Sequence, residues 1–114
     1  AIANVFVFPS LEDEWGIVLN ESSAAKLPIV SSIFAAATTD LVFDNINGFR
    51  FNPLNEIESV AIFKKILNIP LKTLTKMGEE SYRISSQIDH CFTVKQMNAA
   101  FQFALQKCKN GKEK

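Results

Sequence analysis

The segment Pro9-Ser10-Leu11-Glu12-Asp13-Glu14-Trp15-Gly16 runs from a short apolar strand into a helix, and chemistry is most readily assembled there. In open parallel sheets, ligands bind beyond the carboxyl ends of the strands. A helix start at that edge offers free backbone N–H groups and a positive dipole end, suited to a phosphate or a sugar oxygen. Gly16 lets a ligand come close to the backbone. Glu21 follows about 1.5 turns later, and its carboxylate can accept hydrogen bonds from a diol such as a ribose. The same residues also suit a loop with no ligand, because acids near a helix N-terminus stabilise it unaided.

The other reactive side chains point to less. His90 follows Asp89, a pair that can hold a general base, but no nucleophile stands beside it, and a solvated loop histidine is expected. Cys91 and Cys108 have no cation or helix start beside them to lower a thiol pKa. They read as inert, reduced thiols, too few for a disulfide framework and without metal-site spacing. No metal site is expected. Asp40 reads as a first-turn helix acid.

These residues must be held by alternating strands and helices. Residues 4–8 are a β-favouring apolar run ended by Pro9-Ser10, the pattern of a strand buried on both faces. Trp15 to Lys26 is helical, with Trp15, Val18, Leu19, Ser22 and Ala25 near one face, and Leu27-Pro28 breaks it. Ile29 to Ser32 is a second strand, a short helix lies around Asp40 to Asp44, and Asn47-Gly48 is a turn. Phe49 to Phe51 is a third strand. Asn55, with Glu58 three residues on, suits an N-cap, and Ile57, Val60, Ala61, Phe63 and Leu67 supply an apolar stripe. Pro70 opens the next helix, with Leu71, Leu74, Met77, Ser81, Ile84 and Ile88 at helical spacing. Thr93 and Gln96 form a capping box for a last helix with Val94, Met97, Phe101, Ala104, Leu105 and Cys108 inward.

The fold class is therefore α/β, with short parallel strands followed by about three helices. The ten phenylalanines are expected in the core. Twelve basic and twelve acidic residues give zero net charge, which argues against a sequence-blind nucleic-acid binder, and 47% hydrophobic residues is ordinary for a globular domain. No apolar run approaches the ~20 residues of a membrane span, and no signal peptide is evident; a cytoplasmic protein is expected. The tail lysines Lys107, Lys109, Lys112 and Lys114 would also suit peripheral contact with anionic lipid, although a frayed polar tail explains them as well. The chain opens on Ala1 with a strand almost at once, and three helices trail three strands. Both features suggest a piece of a longer domain.

The string FVFPSLEDEWGIVLNESSAAKLPIVSS, followed by TTDLVFDNINGF, resembles the C-terminal domain of GT-B-fold glycosyltransferases of the retaining group 1 family. That family reads strand, Pro-Ser, Glu-x-Phe/Trp-Gly-x-x-x-x-Glu, a small-residue helix, Gly-Leu-Pro-Val-Val, then Glu/Asp-Leu-Val-x-x-Gly-x-Asn-Gly-Phe. The match runs from about Ala3 to Pro53, and Met77-Gly78 and Phe92-Thr93 fall where the family has Met-Gly and Phe-Ser-Trp. The order and spacing of several blocks agree, which makes the resemblance specific.

The resemblance implies a function and its residues. Residues 1–108 would be part of a Rossmann-like domain binding a nucleotide-sugar donor, and residues 109–114 a polar tail. Glu21 matches the acid that accepts hydrogen bonds from the donor ribose. Asp13 stands where the family has a Glu that contacts sugar hydroxyls near the reacting centre. Trp15, Gly16 and Ile17 match the segment whose N–H groups face the donor sugar and phosphate, and Val18 a residue near the ribose. The parent protein would be a retaining, hexosyltransferase-like enzyme without a bound metal or other cofactor. Its acceptor would be undetermined, a glycan or lipid-linked glycan among the candidates. Lys26, Ala36 and Asn45 replace family glycines, and Ile33 replaces an Asp.

The acceptor domain and the cations that neutralise the donor pyrophosphate are missing, so the piece alone is expected to be inactive. The alternative is an inactive truncated remnant or a non-catalytic interaction domain. Expressed alone, the piece is expected to dimerise or aggregate through an exposed sheet edge.

Overall fold

The computed structural model describes residues 2–87 and 90–110, apart from the side chains of residues 90–93 and 108–110. Three parallel strands lie in the order β1 (Phe6–Phe8), β2 (Ile29–Ser32) and β3 (Gly48–Phe51). Helices α1 (Ile17–Ala24) and α2 (Ala37–Leu41) connect them, and α3 (Glu56–Leu67), α4 (Leu71–Ser85) and α5 (His90–Asn110) follow. The α/β class and the parallel sheet agree with the sequence reading.

The sheet has a core on each face, because successive side chains point to opposite sides. Ile29 joins Leu19, Ala37, Leu41 and Val42, against Phe6, Phe8 and Ile84. Val30 joins Phe49, Phe51, Ile66, Leu74 and Met77 on the other face. Only β2 is buried at every position; β1 is half-exposed, and Val7, opposite Val30, is 40% exposed. Among the described residues β1 bonds to β2 alone, so its second edge is open.

Local chemistry explains the junctions. Asn55 Oδ1 accepts the Glu58 N–H at 3.2 Å, as an N-cap does, while the Glu58 carboxylate turns instead to the Asn52 N–H. Lys26 (φ 58°) and Asn45 (φ 65°) adopt the left-handed backbone that the family glycines would allow. Lys65 steadies Asn45 by donating to its Oδ1 at 2.7 Å while lying 4.5 Å from the Phe49 ring centre. Ala36 is right-handed (φ −58°), so no glycine is needed there.

Several expectations require correction. Trp15 precedes α1 rather than joining its buried face, and Ala25 is exposed; the face is made by Leu19, Ser22 and Ser23. The short helix begins at Ala37 and ends at Leu41, ahead of the expected span. On α3 the stripe Ile57, Val60, Ala61 and Leu67 faces outward; Ile62, Phe63 and Ile66 face the core. Leu71 is exposed, whereas Leu74, Met77 and Ser81 are buried as expected. The last helix starts at His90, so Thr93 lies within it and is no N-cap; Val94, Met97, Phe101 and Leu105 are exposed. The phenylalanines do not all fill the core, since Phe34, Phe43, Phe101 and Phe103 are exposed. The readings of Ile88, of the His90, Cys91 and Cys108 side chains, and of residues 111–114 fall outside the described residues.

Candidate functional site

The loop after β1 is built by short-range bonds. Ser10 Oγ donates to the Glu12 carbonyl at 2.9 Å, and the Trp15 N–H donates to Asp13 Oδ1 at 3.0 Å. This second bond is an Asx turn, which lets a short acidic side chain fold the backbone back on itself. The chain then reaches Gly16 at φ 79°, where a Cβ would stand 3.3 Å from Phe8 Cε1 and 3.5 Å from Asp13 Oδ1. Glycine therefore serves both the left-handed backbone and the close fit beneath the loop.

A second loop lies alongside. The Ala36 N–H donates to the Asp13 carbonyl at 3.2 Å, and the Ala37 N–H to the Trp15 carbonyl at 3.0 Å. Asp13 and Ala35 thus form a parallel bridge that continues the sheet one step past β1 and β2. These bonds fix the loop of Asp13 to the loop of Ala36 at the carboxyl edge. No sequence pattern marks them, because they are bonds between backbone groups. Phe34, exposed on the second loop beside Ile33, was not singled out by its sequence either.

The first turn of α1 lies at this edge, with Gly16 buried, Val18 half-buried and Ile17 exposed. Gly16 is its N-cap without a side-chain cap, and no acid stands in the first turn. Among the described residues the N–H groups of Gly16, Ile17 and Val18 carry no hydrogen bond, while Leu19 N–H closes onto the Gly16 carbonyl at 2.8 Å. Such a helix start can hold an anion or a polarised oxygen. Glu21 is exposed on the next turn, and its carboxylate has no partner among the described residues. Val18 is half-buried; Ile17 and Trp15 are 67% and 42% exposed. The structure thus brings Asp13, Trp15, Gly16, Ile17 and Val18 together at one strand end, with Glu21 one turn along the helix.

Four of the cations are engaged away from the loop. Lys26 lies over the Tyr82 ring and Lys65 over Phe49, Arg50 pairs with Asp44 at 3.1 Å, and Arg83 with Glu80 at 2.8 Å. Asp40 stands in the first turn of α2 and lines a hollow of about 330 Å³ with Phe43, Ile46, Arg83, Ile84 and Gln87, away from the loop. That hollow lacks the open N–H groups that the loop presents. Among the described residues no three His, Cys, Asp or Glu side chains cluster as metal ligands, and no helix is long and apolar enough to cross a membrane.

Comparison with known proteins bears on the fold. The chain superposes on sucrose-phosphate synthase from Thermosynechococcus elongatus with a TM-score of 0.76 and 18% identity, over 92% of this chain and 26% of that one. It superposes on HepE from Anabaena, solved in complex with UDP and glucose, with a TM-score of 0.69 and 21% identity, over 88% of this chain and 27% of that one. The chain therefore spans about a quarter of the length of these structures. No curated protein matches it. Its fold is that of GT-B glycosyltransferases. The sequence pattern described as "Glycosyl transferases group 1" matches residues 1–84, and the chain belongs to that family.

Proposed function

We propose that this chain supplies the donor-binding wall of a glycosyltransferase that moves a sugar from a nucleotide-sugar donor with retention of configuration. The observation that carries the proposal is the uncapped start of α1, with free N–H groups on Gly16, Ile17 and Val18 and an unpartnered Glu21 one turn on. The N–H groups suit the donor phosphate and sugar oxygens. Glu21 suits the two hydroxyls of a ribose, and Val18 packs beside that ribose. Asp13 keeps one carboxylate oxygen for the Trp15 N–H, which leaves the other for a sugar hydroxyl. HepE, a structural neighbour at the level of fold, was solved with UDP and glucose, which is consistent with a donor of this class.

Among the described residues the wall has no opposite side, and ligand sites bury most of their ligand. A second domain would close the cleft, bring the acceptor and supply cations for the leaving pyrophosphate. The chain alone would therefore not turn over. The open edge of β1 is where further strands would continue the sheet. The engagement of Lys26, Arg50, Lys65 and Arg83 elsewhere also favours a second reading, a non-catalytic remnant. An in-frame upstream extension of βα pattern would support the enzyme, and a stop codon the remnant.

Glu21→Gln tests the donor assignment in a protein extended to the length of its relatives. Losing a charge-assisted hydrogen bond costs about 1.5–3 kcal/mol, roughly 10- to 100-fold in donor affinity. Calorimetric titration with the nucleotide sugar measures it. Unchanged affinity and turnover would remove Glu21 from the site.

A further inference from the structure

The outward face of α3 carries an apolar stripe that no other described residue covers. Ile57 is 85% exposed, Val60 44% and Leu67 82%, with Ala61 exposed between them. Ile57, Val60 and Ala61 border a shallow hollow of about 410 Å³ whose ends are Glu56 and Lys64, and Leu67 lies one turn beyond it. The opposite face of the helix already packs on the sheet through Ile62, Phe63 and Ile66. The acid at the start and the base at the end suit the helix dipole without a partner. The apolar stripe between them has no such explanation.

We propose that this face docks a second copy of the same chain, α3 against α3 and antiparallel, about a two-fold axis at Val60. The charge pattern is what selects this occupant. Glu56 and Lys64 lie four residues on either side of Val60, about 6 Å each way along the axis. A two-fold at Val60 brings Glu56 of each copy opposite Lys64 of the other, twice, with Val60 meeting its own image. Isologous interfaces require such self-complementarity. Helix α5 offers another exposed apolar stripe, but residues 90–110 contain lysines and no acid. It could answer Glu56 and leave Lys64 unpaired. The inference does not depend on donor binding.

Sedimentation velocity on the 114-residue chain tests it at low salt, from about 10 μM to about 1 mM, where so small an interface acts. The wild type is expected to form a reversible dimer. Val60→Glu places two carboxylates at the axis and is expected to abolish it. Glu56→Lys and Lys64→Glu each create two like-charge contacts and are expected to weaken self-association roughly tenfold. An equimolar mixture of those two variants restores both opposite-charge contacts and should regain the wild-type affinity as a heterodimer. Val60 is exposed, so the urea midpoint of Val60→Glu should stay near wild type, while Glu56→Lys and Lys64→Glu should lower it slightly because each now opposes the helix dipole. A wild type that is monomeric throughout overturns the proposal. A dimer indifferent to Val60→Glu does so too and points to the β1 edge. A mixture no tighter than its components would also overturn it.

Discussion

Gly78→Ala is expected to unfold this chain, although alanine is the better helix former by about 1 kcal/mol. Gly78 sits in the middle of α4, where that helix crosses the turn between α1 and β2. A Cβ built there falls 2.0 Å from the Lys26 carbonyl oxygen and 2.7 Å from its carbon. Both are backbone atoms, and Lys26 is already held at φ 58°, so neither can swing aside as a side-chain end would. The helix must lift off the turn, which uncovers Leu74 and Met77 from one core and Ser81 from its buried bonds. Destabilisation above about 4 kcal/mol is expected, a large part of the roughly 5–15 kcal/mol available to a domain. Urea unfolding followed by circular dichroism measures it. Lys76→Ala, exposed on the same helix, is the control and should stay within about 0.5 kcal/mol of wild type.

Asn47→Ala is expected to cost roughly 3–5 kcal/mol, from two or more buried groups left unpaired at about 1–3 kcal/mol each. Asn47 is fully buried and ties three elements together. Its Nδ2 donates to the Leu41 carbonyl at 2.8 Å and to Ser81 Oγ at 3.3 Å, and its Oδ1 accepts the Phe43 N–H at 2.8 Å. Alanine leaves the Leu41 carbonyl and the Phe43 N–H without these partners. Asn47→Asp keeps an acceptor for Phe43 but sets a carboxylate against the Leu41 carbonyl, so it should be no milder. The same urea titration reads both variants. A loss below about 1 kcal/mol for Asn47→Ala would show that the Asn47 bonds are not what joins α2 to α4.

The strands and their connections were legible because the sequence punctuates them. Pro9, Pro28 and Pro53 close apolar runs or helices, and Asn47-Gly48 marks the turn before β3. Gly48 was readable as a turn residue, but not for its close fit, where a Cβ would meet the Ile29 carbonyl oxygen at 1.8 Å. The loop before Gly16 was legible as a helix start. Its attachment to the neighbouring loop was not, since the Ala36 and Ala37 bonds use only backbone groups. Helix α3 misled because it carries two apolar stripes: Ile57, Val60, Ala61 and Leu67 on one side, Ile62, Phe63 and Ile66 on the other. Helical period alone does not say which stripe meets the sheet; the aromatic contact of Phe63 with Phe51, 5.6 Å between ring centres, decides it. Thr93 and Gln96 have the spacing of a capping box, yet spacing cannot tell a helix start from a helix interior, and α5 begins three residues earlier.

Locating a bound donor decides whether the start of α1 is the donor site. A structure of the protein, extended to the length of its relatives and bound to a nucleotide sugar, is the measurement. Donor oxygens are expected within about 3.2 Å of the N–H groups of the Gly16–Val18 segment, with the ribose hydroxyls on Glu21. A donor seated instead in the hollow of Asp40, Phe43 and Arg83, or held with no contact to α1, would contradict this assignment.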